Sequence, residues 1–155
     1  MKSIFFKLML ILSIMTAIFA LPQIADAATE GDYTYSVSGG EATVTDFPTT
    51  VSGKISIPDT LGGYKVTRIG SYAFNGCTSL KDLKIEDGTE ILELGYNYYY
   101  SSGTGEGLFY DCPLETVYLG RNLSYNISCK YGYSPFYNQK ALKTITIGKN
   151  TFNIL

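Results

Sequence analysis

Val66-Thr67-Arg68-Ile69-Gly70-Ser71-Tyr72-Ala73-Phe74-Asn75-Gly76-Cys77-Thr78-Ser79-Leu80-Lys81-Asp82-Leu83-Lys84-Ile85 recurs in part along the chain. Its latter half returns as Phe109-Tyr110-Asp111-Cys112-Pro113-Leu114-Glu115-Thr116-Val117-Tyr118-Leu119. It returns again as Phe136-Tyr137-Asn138-Gln139-Lys140-Ala141-Leu142-Lys143-Thr144-Ile145-Thr146-Ile147, and a shorter copy is Ile55-Ser56-Ile57-Pro58. Each full copy runs Phe, a short polar turn, then Leu-x-x-(Leu/Val/Ile)-x-(Ile/Leu). The closing residues alternate apolar and polar, the period of a half-buried strand. Leu80, Leu83 and Ile85 therefore point inward and Lys84 outward, with the Phe on the opposite wall filling the middle. One such turn cannot bury its apolar side alone. Stacked turns make a continuous core with their strands in a parallel sheet. Ile57, Ile85, Leu119 and Ile147 mark about four rungs, 28, 34 and 28 residues apart, and insertions account for the unequal spacing.

The run Val-Thr-x-Ile-Gly-x-x-Ala-Phe-x-x-Cys-x-x-Leu-x-x-Leu-x-Ile at Val66–Ile85 resembles the BspA-like leucine-rich repeats of secreted and surface bacterial proteins. The match is close there and partial in the next two copies. The resemblance implies a leucine-rich-repeat solenoid, β-dominated, with short parallel strands and little regular helix. It implies binding of a host protein, adhesion or cell–cell contact, and it carries no catalytic residues to transfer. Gln139 departs from the pattern, standing where the repeat has Cys.

Residues 51–155 are read as the solenoid and 28–50 as its N-terminal cap. Asp32–Val37 and Glu41–Thr45 alternate strongly around Ser38-Gly39-Gly40, which reads as a β-hairpin closing the open end of the core. At the other end Ile147–Leu155 begins another turn without a cap. Either the chain is a shortened member of a family of longer proteins, or this end pairs with another copy or a partner, as an exposed strand edge invites.

Residues 1–27 read as a signal peptide. Lys2 and Lys7 make a positive start, and the fourteen residues Leu8–Leu21 are apolar apart from Ser13 and Thr16. That length suits an export signal and is too short to span a bilayer. Ala25-Asp26-Ala27 supplies the small-x-small cleavage pattern. The remainder is expected to be secreted or at the cell surface, with no membrane insertion after the signal is removed.

That remainder holds ten Lys+Arg against thirteen Asp+Glu, a formal charge of −3 with signs interspersed. No basic stripe is present to neutralise phosphates, so a nucleic-acid partner is not expected. The chain has no histidine, which removes the commonest general base and metal ligand. The expectation is a protein that is not an enzyme, with no cofactor and no metal. A carboxylate pair such as Glu106 with Asp111 keeps a glycan-active enzyme as a remote alternative. Glu86–Glu90 offers oxygens for calcium but reads better as a solvated turn. Cys77 and Cys112 share one repeat position, so they are either stacked buried thiols or a bridge, with thiols favoured. Cys129 stands alone in an insertion.

Fourteen tyrosines and no tryptophan direct attention to the insertions. Tyr96, Tyr98, Tyr99 and Tyr100 lie in the first, among Ser, Gly and Asn, a composition suited to adaptable binding loops. Tyr131 and Tyr133 lie in the second, at the equivalent place one rung later. Insertions at one register land on one side of a solenoid, so the two clusters form one patch, or else the first is simply a hairpin packing on itself. On the sheet, the outward rows are Lys54, Asp82, Thr116, Thr144 and Ser56, Lys84, Tyr118, Thr146. At about 4.8 Å per strand they span only roughly 15 Å. The expected partner is an extracellular protein or glycan. The alternative is a scaffold without its own ligand.

Overall fold

The computed structural model describes residues 27–100, 104–125 and 134–151, with the backbone alone at 98–100 and 104. The segment up to residue 26, and the second insertion with Cys129, Tyr131 and Tyr133, lie outside the described residues. The described residues form thirteen strands and no helix. The N-terminal strands are β1 (Ala28–Glu30), β2 (Tyr33–Ser38) and β3 (Glu41–Asp46). The first full coil contains β4 (Gly53–Ile57), β5 (Thr60–Leu61) and β6 (Tyr64–Ile69). Next come β7 (Leu80–Ile85), β8 (Leu92–Leu94), β9 (Tyr96–Tyr100) and β10 (Thr104–Gly107). The last are β11 (Thr116–Leu119), β12 (Leu123–Tyr125) and β13 (Thr144–Ile147).

Strands β4, β7, β11 and β13 make a parallel sheet in that order. Its register places Ile57, Ile85, Leu119 and Ile147 side by side. The outward rows Lys54–Asp82–Thr116–Thr144 and Ser56–Lys84–Tyr118–Thr146 align as the repeat predicts. Leu80, Leu83, Ile85, Val117 and Leu119 are buried, while Lys84 is half-buried. On β13 the pattern changes, because Ile145 and Ile147 stay 49% and 47% exposed.

A second sheet forms the wall that the sequence reading left without strands. Strands β3, β6, β8 and β12 run parallel, and β2 and β1 extend this sheet antiparallel from β3. Two apolar residues on each of β3, β6 and β8, such as Leu92 with Leu94 and Val66 with Ile69, face the core. The β2–β3 hairpin turns on Gly39 and Gly40, with φ of 60° and 84°, angles that two consecutive glycines adopt without steric cost. Tyr33 leans on Phe47 at a centroid distance of 5.1 Å and donates its hydroxyl to Ser56 O at 2.6 Å.

The third wall is a row of phenylalanines. Phe47, Phe74, Phe109 and Phe136 follow one another at centroid distances of 5.1, 5.2 and 5.8 Å. Phe47, which the sequence reading placed in the cap, thus joins the row of the repeats. The carbonyls of the row are served from the next rung. Cys112 Sγ approaches Phe74 O at 3.8 Å, and Gln139 Nε2 donates to Phe109 O at 2.6 Å. The repeat position three after Phe is therefore a donor position, which is why Gln139 replaces Cys without breaking the pattern. Gln139 Oε1 also accepts from Leu114 N at 3.3 Å. Gln139→Ala should remove both bonds, while Cys112 N still donates to Phe109 O at 3.0 Å and Leu114 N to Cys112 O at 2.9 Å. Because neither group is left without a partner, chemical denaturation should show a loss of only about 1–2 kcal/mol, the net worth of two hydrogen bonds.

One charged side chain runs through the interior. Arg121, between β11 and β12, is fully buried. Its guanidinium donates to Val66 O and Pro58 O, each at 2.8 Å, and meets Asp59 Oδ1 at 3.4 Å. It reaches the first coil from the third, passing the second at Gly88. A Cβ at Gly88 would lie 3.0 Å from Arg121 Cδ and 2.6 Å from Asp59 Oδ1, so only glycine leaves that path open.

Candidate binding surfaces

On the outer face of the first sheet, Lys54, Asp82, Lys84, Thr116, Tyr118 and Thr146 surround a shallow depression of about 220 Å³. Tyr118 is pinned, with its hydroxyl 3.1 Å from both carboxylate oxygens of Asp87. Lost solvation, then the Asp87 hydrogen bond and charge, push the phenol above its ordinary pKa. Glu86, in the same turn, accepts from Ser56 Oγ at 2.9 Å. The acidic turn read as a possible calcium loop is thus engaged with the sheet.

At the entry to the sheet, Glu115 stands between Lys81 at 3.0 Å and Lys143 at 2.6 Å, one residue from each rung. Hydrogen bonds from Lys143 and then Lys81 hold its carboxyl down to about 2. A depressed carboxylate contributes stability above its unfolded pKa, and that contribution fades as pH falls through the folded value. The ladder should thus be intact at pH 5 and lost between roughly pH 4.5 and 2. An NMR titration of the Glu115 carboxyl should show a midpoint near 2. Lys143→Met should raise it. Because the group is exposed, added salt should raise it too.

The first insertion forms its own two-stranded antiparallel sheet. Tyr100 pairs with Thr104, Tyr99 with Gly105, Tyr98 with Glu106 and Tyr96 with Gly107, with a bulge at Glu106/Gly107. The backbone is therefore a hairpin, and its root is tied to the coil below. Tyr96 O accepts from Tyr72 N at 2.9 Å, and Tyr96 N donates to Ser71 Oγ at 3.4 Å. Asn97 is buried and donates Nδ2 to Asp111 at 3.0 Å. Asp111, considered as half of a carboxylate pair, is thus held by an amide at the hairpin's root.

Tyr72 was not foreseen. It is 48% exposed, adopts φ of 68°, and meets Tyr96 edge-on at 6.1 Å. A tyrosine in the left-handed region is strained, and no sequence pattern announces it. The only available signal was its place just after Gly70, at the corner where the insertion leaves one rung later. The base of the hairpin also packs on the next rung. A Cβ at Gly107 would collide with the backbone of Ser134 and Pro135, so this end of the hairpin packs on the segment just before Phe136.

Cys77 and Cys112 are buried free thiols. Burial, then the neighbouring Cys77 and Asp111, push Cys112 up to about 12, and burial raises Cys77 too. Thiolate chemistry is therefore suppressed at both.

With two sheets, a phenylalanine row and a repeated donor position in view, the match of residues 52–155 to the BspA type leucine-rich repeat region, in 6 copies, has a structural meaning. The chain belongs to this family. The BspA-type solenoid is typically a non-catalytic scaffold for protein interaction, and such proteins are often secreted or at the surface. Searches of curated proteins and of solved structures gave no match.

Proposed function

We propose that this BspA-type chain is a secreted or cell-surface binding module that acts in protein binding or adhesion and catalyses no reaction. The observation that carries this reading is the tyrosine hairpin raised on the coil, its base tied to Tyr72 and Ser71 at one strand and packed against Ser134 through Gly107 at the other. A rigid coil thereby supports the backbone that carries Tyr96, Tyr98, Tyr99 and Tyr100, and the proposed patch takes in Tyr131 and Tyr133 of the second insertion. Tyrosine supplies large contact area at low conformational cost, and the coil beneath supplies preorganisation. Tyr118 belongs to a separate surface, and its pinned hydroxyl suits a positioned contact better than an adaptable one. The test is capture of extracellular-matrix and plasma proteins by the purified protein and by a Tyr98→Ala/Tyr99→Ala/Tyr131→Ala variant. Capture lost in the variant supports the tyrosine patch. Equal capture by both moves binding to the sheet face.

A second reading, self-association, is favoured by one observation. Ile145 and Ile147 stand half exposed on β13, whereas their counterparts on β7 and β11 are buried. Light scattering over a concentration series tests it, and a strict monomer at high concentration rules it out.

A further inference from the structure

The outer face of the second sheet carries a depression of about 590 Å³ that plays no part in the reading above. Thr43 on β3, Arg68 on β6 and Glu93 on β8 stand in register across it, with Ser124 on β12 beside Glu93. A register shift between Ala42 and Thr43 makes β6 present Thr67 and Arg68 together to this face. Thr67 donates to Glu41 at 3.0 Å, and Arg68 meets Glu93 at 3.4 Å. Glu90 and Ile91, from the turn entering β8, line the same depression, and Ile91 is 55% exposed.

Three carboxylates, Glu41, Glu90 and Glu93, thus line this depression with one guanidinium, that of Arg68. We propose that this groove binds an extended peptide segment bearing two or more lysine or arginine side chains. Charge decides the sign of the partner, because an anionic ligand meets an excess of carboxylates while a cationic one relieves it. Ile91 provides an apolar shelf for the methylene stem of a lysine or arginine. Four strands at about 4.8 Å span roughly 14 Å, the length of about four extended residues at ~3.4 Å each. The hydroxyls of Thr43 and Ser124 are placed along that span to meet peptide amides and carbonyls.

The test is fluorescence anisotropy with a short peptide alternating lysine and threonine, and the same peptide with glutamate for lysine. Glu41→Gln/Glu90→Gln/Glu93→Gln neutralises the groove. Glu30→Gln/Asp32→Asn/Asp46→Asn makes the same change of net charge elsewhere. Thermal unfolding of both variants checks that each is folded. The lysine peptide should bind the parent chain and lose affinity with added salt. It should bind the groove variant about tenfold more weakly, since exposed pairs contribute little singly but three are removed. The matched variant should bind as the parent does. Equal weakening in both variants, or no binding to the parent, overturns the proposal. So does a free polyamine that competes as well as the peptide at equal charge, since the occupant is then a small polycation. Deletion of the tyrosine hairpin should leave this binding unchanged, so failure here and failure of the tyrosine patch are separable.

Discussion

Phe109→Ala is expected to destabilise the protein by about 3–5 kcal/mol, the range for truncating a buried phenylalanine. Phe109 is fully buried, with Phe74 5.2 Å below it and Phe136 stacked 5.8 Å above, its ring nearly parallel at 8°. Three costs coincide at this position. The transferred apolar surface is lost, a cavity opens between two rings, and the remaining rings lose their aromatic contacts, about 0.5–1.5 kcal/mol each. The row cannot easily close the gap, because each ring is fixed to its own rung by the strands on either side. Position in the row sets the scale. Phe136 is only partly buried, so Phe136→Ala should cost clearly less than Phe109→Ala. Phe109→Leu should recover much of the loss by refilling the volume. Since whole domains of this size are stable by only about 5–15 kcal/mol, urea unfolding of Phe109→Ala should begin at much lower denaturant. Equal losses at 109 and 136 would mean that the row is not a continuous core.

The same row shows which parts of this fold a sequence discloses. The first sheet was legible because Leu83-Lys84-Ile85 and Val117-Tyr118-Leu119 alternate at a fixed distance from a preceding Phe, and that offset sets register as well as strand. Of the second sheet only the β2–β3 hairpin was, from its alternation around Ser38-Gly39-Gly40. Its later strands, Leu92–Leu94 and Leu123–Tyr125, have three residues each, too few for a period to declare itself. Phe47 escaped notice because Pro48 follows it and the polar turn of the repeat is altered there. Gln139 looked like an exception until its amide was seen serving the Phe109 carbonyl, the role that Cys112 plays toward Phe74. Of the candidate surfaces, the outward rows and the Tyr96–Tyr100 insertion were readable from composition and spacing. Tyr72 and the acidic groove were not, since one depends on a backbone angle and the other on residues brought together from four strands.

Arg121→Ala carries the other large effect, with an expected loss of about 3–5 kcal/mol, the range for breaking a buried charged pair from one side. The balance of terms is particular to this site. The guanidinium is wholly desolvated and its Nε has no partner, which counts against the folded state. Burial accordingly lowers its pKa, while Asp59 and Glu86 act in the opposite direction. Removing the arginine relieves that cost, yet Pro58 O and Val66 O remain inside with no donor, at about 1–3 kcal/mol each. Asp59 is less affected, because Lys65 also pairs with it. Arg121→Met separates the terms. It fills most of the volume and supplies no hydrogen bond, so a loss of about 2–4 kcal/mol assigns the effect to the two carbonyls. A methionine variant as stable as the parent would instead show that guanidinium desolvation outweighs both bonds. The arginine also changes how the coil unfolds. In a solenoid each rung contacts its neighbours, and stability is close to a sum of nearest-neighbour terms. Arg121 breaks that rule by joining the third coil to Pro58, Asp59 and Val66 of the first, past Gly88 of the second. Its removal should therefore lower the denaturant slope as well as the midpoint, because the end coils are then free to unfold without the rest. A midpoint shift at constant slope would show that Arg121 stabilises the coil without coupling its ends.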